Sequence, residues 1–243
     1  SALTLVACGP LSRPCERITV PFISLRPKRP EETAMLALPP RRAPPMESVP
    51  MPALAIDNWP LPYEERLATR PSTAIDLVVI HCTELPDMRM AREFGERIRH
   101  AGTRTGNSGH YYIDLDGRVF RFVADTRVAH HTFGYNPRSI GIELVNSGRY
   151  PHWNDSRHQT FRAPYPQAQI GALRRLLEQL HGDHARLRWI AGHEDLDRRL
   201  EPASDDPQLL LPRRRDPGPL FPWSDVLAGS ALQRMTPTAG AQT

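Results

Sequence analysis

The stretch "IDLVVIHCT", residues 75–83, is a continuous apolar run rich in β-branched residues. Such a run predicts a strand buried on both faces, the kind found inside a sheet covered by helices. Reading outward, Met90, Phe94 and Ile98 recur every four residues and predict one face of a helix. "HYYIDLDGRVFRFV" (110–123) divides around Asp116-Gly117 into two strands, a hairpin signal. "SIGIELVN" (139–146) predicts a further strand. In "AQIGALRRLLEQLHG" (168–182), Ile170, Leu173, Leu176, Leu177 and Leu180 form one helical stripe, with Gly182 as its expected C-cap. "LRWIAGHED" (187–195) predicts another buried strand, and Ser224 is expected to cap a last helix reaching about Leu232. The order strand, helix, hairpin, strand, helix, strand, helix implies an α/β domain: a mixed central β-sheet flanked by helices.

The flanks differ in kind. Half of the chain's 26 prolines fall within residues 9–70, which show no sustained period and predict a proline-rich arm or linker. The catalytic-sized domain is expected at 71–233, with a flexible tail at 234–243. "SALTLVAC" (1–8) ends in Leu5-Val6-Ala7-Cys8, which resembles a bacterial lipobox whose cysteine takes lipid. At 243 residues there is room for one sizeable core. The net charge of +4 is spread among 27 acids rather than gathered in a stripe, so no nucleic-acid partner is expected. Three cysteines make no disulfide framework and no thiolate zinc site, and no apolar run of about 18 residues spans a bilayer.

Polar residues at strand ends carry the candidate chemistry. His81 closes "LVVIH", His193 follows "WIAG", and Asp216 ends the arginine run of "RRRDPGPLFPW" (213–223) among prolines. Ends of strands in α/β sheets are where sites assemble, and two imidazoles with one carboxylate suit a catalytic zinc that keeps a fourth position for water. Singly, each also reads as a core histidine, a loop polar group or a turn former. Glu143 is an acid in the apolar strand "IGIELV", costly unless it faces a wet cleft. Cys82 adjoins His81 but points to the opposite face of its strand, so a buried thiol is expected rather than a nucleophile. His130 and His131 likewise point apart, which argues against both binding one metal. His110 precedes the hairpin as a weaker candidate, Asn136 is either a turn residue or a substrate contact, and Asp195 or Asp197 either orients a ligand histidine or begins a solvated loop.

"VVIHCT", "SGHYYIDLDGRV", "AHHTFGYNPRSIGIELVN", "AGHEDLD" and "RDPGPLFPW" occur in this order and together resemble the motifs of the type 2 N-acetylmuramoyl-L-alanine amidases over about residues 75–226. The resemblance implies one zinc ion per chain on His81, His193 and Asp216, with Glu143 at the catalytic glutamate position. It places Arg214 where that family commonly has a lysine, a departure that leaves an electrostatic role on an oxyanion intact and weakens one needing a proton from this side chain. His131 falls on a cleft histidine that meets substrate; His110 and Asn136 remain the further candidates for substrate contact, the latter open between that and a turn role. The reach from His193 to Asp216, "DRRLEPASDDPQLLLPRRR" at its centre, is longer than the family's usual connection, and lining the substrate groove would account for it.

The implied reaction is zinc-dependent hydrolysis of the amide between N-acetylmuramic acid and L-alanine in peptidoglycan or muropeptides. Two alternatives stand beside it: a non-catalytic peptidoglycan-binding module of the same fold, and a zinc peptidase acting within the stem peptide. A monomer is expected. With the lipobox-like start, the expected location is the periplasm, tethered to a membrane through lipid on Cys8.

Overall fold

The computed structural model describes residues 54–235. The lipobox-like segment with Cys8, the arm as far as residue 53 and the tail from 236 onward lie outside the described residues. Nine strands and four α-helices follow one another within this span: β1 (Ile56–Asn58), β2 (Leu77–Cys82), α1 (Met88–Glu96), β3 (Tyr111–Ile113), β4 (Val119–Arg121), β5 (Ser139–Leu144), α2 (Gln167–Asp183), β6 (Trp189–Gly192), α3 (His193–Leu196), β7 (Leu200–Pro202), β8 (Leu210–Pro212), α4 (Trp223–Leu227) and β9 (Gln233–Arg234). Seven strands form one sheet in the order β1-β4-β3-β5-β2-β6-β9, and β7 with β8 forms a separate two-stranded ribbon. Only β3 and β4 pair antiparallel in the large sheet, as a hairpin whose Gly117 takes φ +86°. The expected mixed sheet with flanking helices is what the chain adopts.

Strand β2 lies inside the sheet, between β5 and β6, and all six of its residues are buried. Its side chains alternate between two cores. Val78, Ile80 and Cys82 join Ile140, Ile142 and Leu144 of β5 and the whole Ile170, Leu173, Leu176, Leu177, Leu180 stripe of α2. Leu77 and Val79 face the other way, with Ala191 and Leu196. That second face also carries His81 and Glu143, because period-two alternation puts residues 77, 79 and 81 on one side.

Four details differ from expectation. Residues 54–70 belong to the domain rather than to a linker: β1 pairs in parallel with β4, and Leu61, Tyr63 and Leu67 are buried against Met88, Ala91 and Phe122. The prolines there mark turns between short packed pieces, not an unfolded spacer. Helix α1 stops at Glu96, so Ile98 lies past its end and is 50% exposed; Met88, Ala91, Arg92 and Gly95 make the buried face. Gly182 remains inside α2, whose C-cap is His184. Pro222, not Ser224, occupies the N-cap position of α4, which ends at Leu227. Local signals place helices well and their ends poorly, since caps compete with packing for the last turn. Among the described residues no helix is long and apolar enough to cross a membrane.

Candidate metal centre and cleft

Three adjacent parallel strands end at the same level. His81 of β2 pairs in register with Glu143 of β5, and Ile80 pairs with Gly192 of β6, so His193 emerges beside His81. Parallel strands that share an end deliver their terminal side chains to one place, the usual origin of sites in such sheets. Asp216 arrives from the loop after β8. Its carbonyl accepts from Glu194 N–H at 2.9 Å, and the next carbonyl, that of Pro217, accepts from the Tyr165 hydroxyl at 2.6 Å.

Asp216 Oδ2 lies 3.0 Å from His81 Nδ1 and 3.0 Å from His193 Nδ1, and all three residues are buried. Among the described residues this is the single group of three or more His, Cys, Asp or Glu placed to hold a metal, with ligand atoms within 4.8 Å of one another. Burial, and then the neighbouring His193 ring, pulls His81 down to about 4, which leaves its lone pair available near neutral pH. Burial pushes Asp216 up, but contacts with His193 and His81 outweigh it and keep the carboxyl well below its usual range. Two imidazoles and a carboxylate are a donor set suited to a divalent zinc.

His131 stands behind this group. Its Nδ1 is 3.1 Å from His81 Nε2 and its Nε2 is 3.2 Å from Ser139 Oγ, so it fixes the outward nitrogen of His81 while touching the cleft. The His131 ring lies flat on β5 at Gly141, where a Cβ would come within 2.7 Å of it. His130 also borders the cleft, its ring centre 4.4 Å from that of His100. Asn136 does line the cleft, yet its Oδ1 accepts from both His131 N–H (3.0 Å) and Thr132 N–H (2.7 Å), and so pins the turn that carries His131. His110 lies under the site instead of in it. Fully buried, it accepts at Nδ1 from Gly141 N–H at 3.0 Å and contacts Arg70 through Nε2.

Glu143 and Arg214 both border the cleft. Burial first, and then the Asp216 charge, pushes Glu143 up to about 8, while Arg214 draws it back down. The three arginines before Asp216 have separate surroundings. Arg213 pairs with Asp197, Arg215 donates to the Gln159 carbonyl at 2.8 Å, and the buried Nε of Arg214 has no hydrogen-bond partner. Asp195 accepts from Gly192 N–H and Asp197 holds Arg199 and Arg213, so the structure gives neither aspartate a bond to the His193 ring. Cys82 is buried in the α2-side core and its thiol is pushed well up, first by burial, which fits an inert side chain.

The cleft has a volume of about 660 Å³. One of its features escaped sequence reasoning. Glu84 and Arg149 form a buried bidentate pair (2.7 Å at Nε and 2.7 Å at Nη2), with Glu84 at φ +48° folded over Gly148. No local pattern joins residues 65 apart. The β7–β8 ribbon contributes Glu201, flanked by Arg199 and Arg213, to the wall, so the long connection before Asp216 does line the groove.

Residues 71–219 match the N-acetylmuramoyl-L-alanine amidase family, Amidase_2. The N-acetylmuramoyl-L-alanine amidase AmiD of Escherichia coli (strain K12) is 31% identical over 118 residues, 45% of this chain and 37% of that protein, so the chain spans little more than a third of that relative's length. Among solved structures, the endolysin N-acetylmuramoyl-L-alanine amidase LysCS from Clostridium intestinale URNW superposes with a TM-score of 0.51 at 18% identity, over 74% of this chain and 98% of that one. AmpDh3 from Pseudomonas aeruginosa gives 0.50 at 24% identity, over 66% and 61%. Both share the fold.

Proposed function

The chain belongs to the N-acetylmuramoyl-L-alanine amidase family, and from that premise we propose that it hydrolyses the amide joining N-acetylmuramic acid to L-alanine in peptidoglycan or muropeptides, with one zinc ion on His81, His193 and Asp216. The observation that carries this reading is the convergence of His81 Nδ1, His193 Nδ1 and Asp216 Oδ2 at the strand ends, with Glu143 in register beside them. Bound there, zinc supplies the acidity that ionises water near neutral pH and the pull that polarises a carbonyl.

The chain's own side chains do the rest. Glu143 takes the proton from the attacking water and returns it to the departing amine nitrogen of L-alanine, the step that lets the C–N bond break. A carboxyl already poised by burial is well matched to moving protons near neutrality. Arg214, which borders the cleft and whose buried Nε has no hydrogen-bond partner, places fixed positive charge against the carbonyl oxygen as it becomes anionic. It does so without giving up a proton, as arginine must. His131 and Asn136 keep His81 aimed. A lipid anchor on Cys8 would hold this activity at a membrane in the periplasm; mass spectrometry of the mature protein tests that part.

The binding-module alternative is disfavoured because all three ligand positions and the acid are filled. The test is direct. Purified protein should contain one zinc per chain, and digestion of muropeptides should release intact peptides beginning with L-alanine. Chelation should stop the release and added zinc restore it. Products cut within the stem peptide would transfer the site to a peptidase, and zinc-free or chelator-resistant turnover would overturn the metal assignment.

A further inference from the structure

Phe133 is 79% exposed, the most exposed large hydrophobic side chain among the described residues, and it borders the cleft. A single exposed apolar side chain is ordinary on a protein surface. This one is braced. The Arg199 guanidinium lies over one face of the ring, 5.1 Å from its centre, and is itself held by Asp197 through bonds of 2.8 and 2.7 Å. The turn beneath is tied down as well: Tyr135 N–H and Asn136 N–H donate to the Thr132 carbonyl, and Asn136 Oδ1 accepts from Thr132 N–H. Thr132, the residue before Phe133, has its hydroxyl 3.4 Å from His81 Nε2. A braced aromatic ring thus stands at the lip of the cleft, one residue along the chain from a hydroxyl that meets a metal-ligand histidine.

Resting on the amidase reading, we propose that Phe133, backed by Arg199, is the platform on which the pyranose ring of the muramoyl unit stacks, and so decides preference for glycan-bearing substrate over bare lactyl peptide. A sugar ring presents a flat face of C–H groups, which an uncharged aromatic surface covers at little desolvation cost. The stem peptide offers carboxylates instead, and these match the Arg99 and His100 stretch of the wall. The muramoyl ring is separated from the scissile amide by only its lactyl ether, so a ring carried one residue beyond Thr132 is within reach. A platform held rigid in advance gives binding without the cost of ordering a mobile side chain.

The test compares two soluble substrates, N-acetylmuramoyl-L-alanyl-D-isoglutamine and the same dipeptide carrying only D-lactate. Phe133→Ala should raise KM for the muramoyl substrate about 10-fold, the equivalent of ~1.4 kcal/mol, with kcat changed less than about twofold and the lactyl substrate unaffected. Phe133→Trp should restore KM and Phe133→Leu should not, which separates a flat ring from mere bulk; Arg199→Ala should give a smaller change in the same direction. An equal KM rise on both substrates, or none on the muramoyl one, overturns the platform while leaving the hydrolase standing. If the wild type cleaves neither substrate, the hydrolase reading fails, and calorimetric binding of the muramoyl dipeptide decides the platform: weaker binding by Phe133→Ala supports it, equal or absent binding overturns it.

Discussion

Glu143 is held between opposing influences: burial and Asp216 favour its neutral form, and Arg214 favours the carboxylate. A general base must be ionised, so the acid limb of the pH–rate profile should follow this balance. Replacing Arg214 with Ala removes the one influence that lowers the Glu143 value among these. The acid limb of kcat/KM should therefore move to higher pH, and the plateau should fall by about 10² through loss of oxyanion stabilisation. Arg214→Lys keeps the charge and should leave the limb in place. Glu143→Ala should retain zinc and lose about 10²-fold or more in kcat; metal analysis beside initial rates checks both, and a retained rate would move the proton-transfer role elsewhere.

At the scale of elements, the cleft wall depends on a contact between the turn after β2 and the loop after β5. Glu84 and Arg149 are both buried, with side chains 9% and 1% exposed, and Arg149 also donates to the Trp153 carbonyl at 3.0 Å. Removing one partner of such a pair strands the other charge in low dielectric. Arg149→Ala should cost about 3–5 kcal/mol, read from the midpoint and slope of urea unfolding, while a loss under 1 kcal/mol would mean that water reaches Glu84 freely. The same scale shows why element positions were legible and their ends were not. The β2 run and the α2 stripe are set by burial periodicity over many residues. The ends of α1, α2 and α4 are set by single contacts, as at Pro222 and His184, which carry no periodic signal.

Over the whole molecule, acid sensitivity should come from imidazoles buried in the neutral form. Burial, then Arg70, pulls His110 down to about 3, and burial, then His193, pulls His81 down to about 4. Both folded values lie below the unfolded value near 6.5. Their contribution to stability is complete above pH 6.5 and is lost as pH falls through 6.5 toward 4 and 3, because the unfolded chain then binds protons that the fold excludes. Metal-free protein should show a melting temperature that drops across this window, and His110→Asn should flatten the drop even if it lowers the starting value. Zinc, binding the folded state alone, should raise Tm at pH 7 by mass action, and Asp216→Ala should abolish that rise; calorimetric scans with and without zinc measure both.

The sequence by itself determined the layered α/β architecture, because the strand run at 75–83, the Asp116-Gly117 hairpin and the α2 stripe are local patterns that only one kind of sheet can bury. It also raised His81, Glu143 and His193 as polar groups in or at the ends of apolar strands, and the resemblance of the ordered motifs joined them with Asp216, which arrives from a loop, into one site. Tertiary structure alone decided how far the domain reaches toward the N terminus, because residues 54–70 earn their order from β1 pairing with β4 and from Leu61, Tyr63 and Leu67 packing on distant partners. It likewise separated the three arginines, joined Glu84 to Arg149, and moved His110 beneath the site rather than into it. Those outcomes depend on contacts between residues far apart in the chain. Short-range pattern has no access to them, because it is the closing of the sheet that brings the partners together.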